Sequence, residues 1–326
     1  MHRPFAYLVA MVAWLLAASP LAHAQQYPSK PVRVVVPYSA GGPVDVLTRG
    51  LAQRLSEIWG QPVIIDNKPG GNEIVAAQSV AAATPDGYTL MMASDATLTL
   101  NQFLYAKLPY DPLTAFTPVT GVALSNLAFF VPSTLPVRTL REFVDLAKKQ
   151  PKALAYGTSG NGTSTHLAMV WLESRTGISL NHVSYKGLAP VIQDMLGGQL
   201  QAAFGAASAV APQVKAGKLK ALAISGSRRA KLLPDAPTFV EAGFDNIDAT
   251  LLIGLIGPRG MPKDLVDRIA RDVARVAQEP AFREKYLDSV AFDLFVDTPD
   301  NFAAYLVKER GKQEQRVKLS GVKLEQ

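Results

Sequence analysis

The sequence predicts an α/β protein built as two sheet-centred lobes, and three observations point there. Short apolar runs rich in Val, Ile and Leu alternate with segments whose apolar residues recur every three or four positions, the pattern of strands and helices in βα units. That alternation occurs in two stretches with their own strands and helices, yet no repeat period or low-complexity linker separates them. The 326 residues, 48% of them hydrophobic, supply cores for about two domains of about 150 residues each. A chain that builds two sheets without one linker is expected to cross between lobes more than once. Its C-terminal segment is expected to return to the first.

The elements follow in order. PVRVVVPYS is a β-branched run ending at Tyr38, broken by AGGP before a helix carrying Val44, Leu47, Leu51, Leu55 and Ile58 on one face, with Gly60 as its stop. Strand Val63 to Asn67, the loop KPGGN, a helix from Glu73 to Ala83 and strand YTLMMAS ending at Ser94 complete the first set. The next begins with a strand near Val122 to Val131. The capping-box spacing of Thr139 and Glu142 then opens the helix TLREFVDLAKKQ. Strand KALAYGTS, the turn GNGTS and helix THLAMVWLESRTG follow, then strand NHVSY, helix APVIQDMLGG, strand QLQAAFG, a short helix through Val210 to Lys215 and strand LKALAISG. The last third holds strand TLLIGLIGP, a helix opened by Pro262, a shorter helix from Ala281 to Leu287, strand AFDLFV and a terminal helix with Thr298 as N-cap and Pro299 at N1.

Composition narrows the function. With 18% charged residues the chain is neither disordered nor fibrous, and the absence of cysteine excludes disulfides, thiolate metal sites and a cysteine nucleophile. Residues 1–24 have the form of a secretory signal peptide: Arg3, an apolar run from Phe5 to Ala18, Pro20, and the small-residue ending Ala22-His23-Ala24. No second run is long enough to span a membrane, so a soluble exported protein is expected. Its net charge of +6 falls by one with Arg3, and its Lys and Arg are scattered without interleaved aromatics, which argues against nucleic acid as a partner. Cleavage leaves only His166 and His182, sixteen positions apart. Neither a metal site nor a cofactor is expected.

Two places share one design, in which a strand stops, a glycine turn follows and a helix starts. They are Tyr38-Ser39-Ala40-Gly41-Gly42 before Pro43, and Ser159-Gly160-Asn161-Gly162-Thr163 before Ser164. Such a turn aims backbone N–H groups and the positive end of a helix dipole at one spot, which suits a carboxylate or phosphate. Gly157, Gly160 and Gly162 reverse the dinucleotide pattern and no Gly-Lys-Ser/Thr follows either turn, so nucleotide binding is not indicated. Asp45 at N3 has two readings: it bonds back to the helix cap, or it selects among ligands at the anion site. His166 lies near the start of the second helix, where its cationic form is disfavoured. It reads as a neutral hydrogen-bond donor, and as the base of a secreted serine-type hydrolase in the alternative reading, for which no G-x-S-x-G elbow is present.

VVVPYSAGGPVDVLTR, PDGYTLMM, LPYDPLTAFTPVT, SGNGTSTHLA, HVSYKGLAPVIQDMLGGQL, KAGKLKALAIS, LPDAPTFVEAGF and TPDNFAAYLVKE occur in this order. Together they resemble the Bug family of bacterial tripartite tricarboxylate transporter receptors, over nearly the whole chain after residue 24. The resemblance implies a periplasmic solute-binding protein without enzyme activity. Its fold would be a type II-like two-lobe one, each lobe a mainly parallel sheet flanked by helices, closing like a Venus flytrap on a small organic carboxylate: a dicarboxylate, an acidic amino acid or an aromatic acid. Carried over, the ligand-binding residues are Tyr38, Ser39, Gly41, Gly42 and Asp45 in the first turn and Ser159, Gly160, Asn161, Gly162, Thr163, Ser164 and His166 in the second, with Ser94, Asp95 and Ser208 as further cleft positions. The first lobe would hold residues 25–126 and 250–326, the second 127–249. The implied partners are inner-membrane permease subunits, and a monomer is expected. One departure stands out: the family pattern N-x-P-G-A-G-G-N-x-G is here Asn67-Lys68-Pro69-Gly70-Gly71-Asn72-Glu73-Ile74-Val75, shortened and with Glu73 near the turn.

Overall fold

The computed structural model describes residues 27–245, 247 and 249–323, so the expected signal peptide over residues 1–24 lies outside the described residues. The strands are β1 (Val32–Val36), β2 (Val63–Asn67), β3 (Thr89–Ser94), β4 (Phe116–Pro132), β5 (Ala155–Thr158), β6 (Asn181–Ser184), β7 (Ala202–Ala206), β8 (Leu219–Ile224), β9 (Thr250–Pro258) and β10 (Phe292–Leu294). They join in one mixed sheet ordered β2-β1-β3-β9-β4-β7-β5-β6, with β8 and β10 also paired to β4.

Parallel pairing, which the βα alternation leads one to expect, holds for the outer strands β2-β1-β3 and β7-β5-β6. The strands that join them, β4 and β9, run antiparallel to each other. The reason is topological: β4 carries the chain out of the first group of strands and β9 brings it back. From Phe116 to Asn126, β4 pairs with β9; from Leu127 onward it pairs with β7 and β8. Side chains packed on the first stretch of sheet come from positions no later than Leu124 or no earlier than Leu251. Those on the second come from 127–249, Ala291 aside. A small cluster of Leu100, Leu104, Leu167 and Val317 ties the two regions together.

The helices are α1 (Pro43–Trp59), α2 (Ile74–Ala81), α3 (Asn101–Leu104), α4 (Leu140–Lys149), α5 (Ser164–Thr176), α6 (Leu188–Leu196), α7 (Ala207–Lys215), α8 (Lys263–Gln278), α9 (Pro280–Tyr286) and α10 (Pro299–Ser320). Helix α1 buries Leu47, Leu51, Leu55 and Trp59 against the sheet and ends at Gly60, whose N–H donates to the Ser56 carbonyl. At α4 the Thr139 hydroxyl accepts from the Glu142 N–H (3.1 Å), while the Glu142 carboxylate reaches past the cap to the Arg138 N–H (2.6 Å). Thr298 caps α10 in the same way, through the N–H of Asn301 (3.3 Å).

Three elements differ from expectation for identifiable reasons. Strand β4 starts six residues earlier than the apolar run suggests, because Pro118 and Gly121 make its first half read as a loop. Register shifts against β9 between Pro118 and Thr120 and between Gly121 and Ala123 accommodate them. Between Ser94 and Val122 the pattern assigns no element, yet Ala96–Leu100 forms a π-helical turn leading into α3. Its residues are all buried, threonines included, so neither the two-residue nor the 3.6-residue period is visible. Helix α2 is shorter than predicted at its start, where a 3₁₀ turn at Gly71–Glu73 intervenes. No described helix is long and apolar enough to cross a membrane.

Candidate functional site

The two glycine turns face a common cavity of about 400 Å³. Tyr38 and Ser39 line it from the turn between β1 and α1; Ser159, Gly162, Thr163 and Ser164 line it from the turn between β5 and α5. Ser94 and Asp95 reach it from the end of β3, and Pro69, Gly70, Asn72 and Glu73 from the loop after β2.

The second turn is held open by its own polar groups. The Thr163 hydroxyl donates to the Gly160 carbonyl (2.7 Å) rather than capping α5, and the Thr165 hydroxyl accepts from the Ser159 N–H (3.1 Å). The first N–H groups of α5 therefore have no side-chain cap at a helix start that borders the cavity, an arrangement suited to a carboxylate. Gly162 has φ +72°, and a Cβ there would meet the Leu104 methyls at 3.1 and 3.3 Å.

The first turn is satisfied from within. Asp45, buried to 1% exposure, accepts from the Gly41 N–H, the Arg49 Nε and the Asn67 Nδ2, each at 2.8 Å. Burial alone would raise its carboxyl, but these bonds outweigh it and hold the group below the usual carboxylate range. Asp45 thus clamps the turn to α1 and β2 and does not line the cavity; neither do Gly41, Gly42 or Gly160. Ser208 lies on α7 at a separate cavity with Lys215, Lys231 and Asp235. Asn161 and His166 border another cavity on the far side of the second turn.

His166 is a neutral imidazole, as its helix position suggests, though the main cause is burial. Its pKa is pulled down to about 4 by desolvation and then by His182, on which it stacks at 4.2 Å. Its Nδ1 accepts from the Gly162 N–H (3.2 Å), so it braces the turn. The Ser159 hydroxyl bonds to Thr163 and Thr165, and no serine hydroxyl is bonded to His166 among the described residues, which leaves the hydrolase reading without support.

The groups that sequence reasoning passed over are Glu73, noted only as a departure, and the polar side chains beneath Asp95. Glu73 is 4% exposed and accepts from the Tyr38 hydroxyl, the Ser94 hydroxyl and N–H, and the Thr97 hydroxyl. Asp95 accepts from the Gln313 amide (3.3 Å) on α10, beside the buried pair Arg316 and Glu309 (3.5 Å). Burial, then the charges of Glu73 and Glu309, push Asp95 up to about 7, with Arg316 working against them. Among the described residues, neither lysine nor arginine lines the cavity, and no group of three His, Cys, Asp or Glu could hold a metal ion.

The Asp95 shift has a sign that can be checked. Between its ordinary value of 3.8 and about 7 the folded chain keeps a proton that the unfolded chain has lost, so this group's contribution to stability falls as pH rises through that window. Asp95→Asn removes the effect. The variant's stability relative to the parent should therefore rise by about 3 kcal/mol between pH 4 and pH 8 in urea unfolding. A difference independent of pH would contradict it.

Comparison with solved structures defines the class. An R. palustris protein solved with adipate superposes with a TM-score of 0.78 at 30% identity, covering 91% of this chain and 99% of its own. MatC from Rhodopseudomonas palustris, with bound malate, gives 0.73 at 28% identity, over 89% of this chain and all of its own. The fold is that of a periplasmic solute-binding receptor. The profile of the tripartite tricarboxylate transporter family receptor matches residues 47–320, and a UPF0065 protein of Bordetella pertussis is 34% identical over 86% of this chain and 87% of its own length. The chain belongs to this receptor family.

Proposed function

We propose that the chain is a periplasmic receptor whose two lobes, residues 27–126 with 250–323 and residues 127–249, close on a small organic carboxylate and deliver it to the permease subunits of a tripartite tricarboxylate-type transporter. The observation that carries this reading is the single cavity lined by both glycine turns, one from each group of strands. The change of β4 partners at Asn126 and Leu127 supports the division, since bending there moves one sheet region against the other. Adipate and malate are the solutes bound in the two similar structures, which supports an acid as ligand.

The solute's carboxylate sits at the start of α5 and the rest of the molecule reaches Tyr38, Ser39, Ser94 and Asp95. Contact with both lobes exists only when they are together, so the solute shifts the population toward the closed form by that differential affinity. Leu167 packs against Leu100, Leu104 and Val317 across the two regions, a contact that would favour the closed form. The protein acts as a monomer and performs no turnover. A panel of organic acids should include at least one that raises Tm with saturable dependence on its concentration, while an activated ester gives no burst. Absence of stabilisation by any acid, or a stoichiometric burst, would overturn the reading.

A further inference from the structure

The shortened loop after β2 places a charge where the receptor's solute lies. Asn72 and Glu73 adopt φ values of 49° and 74°, in the left-handed region that side chains other than glycine rarely adopt, so the surrounding contacts must hold them there. The contacts at Glu73 are clear. One carboxylate oxygen accepts from the Tyr38 hydroxyl and the Ser94 hydroxyl (2.5 Å), the other from the Ser94 N–H (3.2 Å) and the Thr97 hydroxyl (2.6 Å). Four bonds fill the accepting capacity of a carboxylate. The donors come from three segments, the first turn, the end of β3 and the π turn after it, so the fold builds a carboxylate-binding site in the cavity wall and fills it with its own side chain.

We infer that Glu73 is a built-in carboxylate closing one end of the cavity, so that the solute is a monocarboxylate. Its single carboxylate is held at the start of α5 by Ser159, Thr163 and Ser164, and its other end, uncharged or bearing an ammonium group, lies toward Glu73 and Asp95. A second carboxylate at that end would meet the Glu73 carboxylate, whose four hydrogen-bond donors are already used, and no lysine or arginine among the described residues that line the cavity. This inference rests on the receptor reading and narrows it, since the similar structures with adipate and malate hold diacids.

The test is calorimetric titration of the purified protein with straight-chain acids of three to eight carbons, each as the monoacid, the ω-amino acid and the diacid. At whichever length binds, the monoacid or the ω-amino acid is expected to bind at least tenfold more tightly than the diacid. Glu73→Ala, which frees the Tyr38, Ser94 and Thr97 donors, is expected to gain at least tenfold for the diacid and so narrow or reverse the order. A parent chain that prefers diacids overturns the inference and leaves the receptor reading standing. No binding of any acid in the series overturns the inference, and the receptor reading falls with it only if the wider panel of organic acids also gives no stabilisation. Should Glu73→Ala fail to fold, the order of the three acids on the parent chain decides alone.

Discussion

A Gly162→Val chain is expected to lose its solute, with affinity down at least about a hundredfold, equivalent to about 2.7 kcal/mol, and to melt about 5–10 °C below the parent. Two costs combine. A β-branched residue at φ +72° carries a penalty of about 1–2 kcal/mol, and its Cβ would crowd Leu104 at 3.1 and 3.3 Å and Val322 at 3.4 Å, an overpacking worth about 1–3 kcal/mol more. The turn can relieve both only by rotating the Gly162 N–H away from His166, which displaces Thr163 and Ser164 from the start of α5. Gly162→Asn, whose side chain tolerates the left-handed region, should keep more of the binding. Calorimetric titration beside a thermal melt separates the two losses. Parental affinity in a folded valine variant would show that the second turn is not where the solute is held.

Arg316→Met is expected to cost about 3 kcal/mol, or roughly 5–10 °C in Tm. The Arg316 side chain is 5% exposed, 3.5 Å from Glu309 and 5.4 Å over the Trp171 ring of α5, so it neutralises charge at the place where α10 meets the second half of the chain. Methionine fills much of the volume but leaves Glu309 beside Lys312 (3.1 Å) without the arginine and leaves Asp95 facing two carboxylates. Because Arg316 opposes the rise in the Asp95 pKa, its loss should move the Asp95 titration upward, so the variant's deficit should widen above neutral pH. Urea unfolding at pH 5 and pH 8 reads both effects. A loss below about 1 kcal/mol at both values would mean that the cluster carries no net stabilisation.

The fold was legible wherever one face of an element meets the core and the other meets water. Helix α1 announces itself through Leu47, Leu51 and Leu55, and α4 through Thr139 and Glu142, because burial and capping leave local marks. Elements surrounded by protein leave none, and so the π turn at Ala96–Leu100 stayed hidden, while Pro118 and Gly121 disguised the first half of β4 as a loop. The site divides in the same manner. A glycine turn before a helix is written in consecutive residues, and both turns could be named from the string alone. What each polar group does depends on partners far along the chain. Asp45 reads equally as cap or selector until Gly41, Arg49 and Asn67 are seen around it, and Glu73 reads as an irregular loop residue until Tyr38, Ser94 and Thr97 converge on it.

Native mass spectrometry of the protein freshly isolated from the periplasm bears most directly on whether this cavity is a solute site. One small acid per chain, sized to about 400 Å³ and absent from the Gly162→Val protein isolated in parallel, is the expected spectrum. The same acid retained at equal occupancy by the valine variant would contradict a solute held between the two turns.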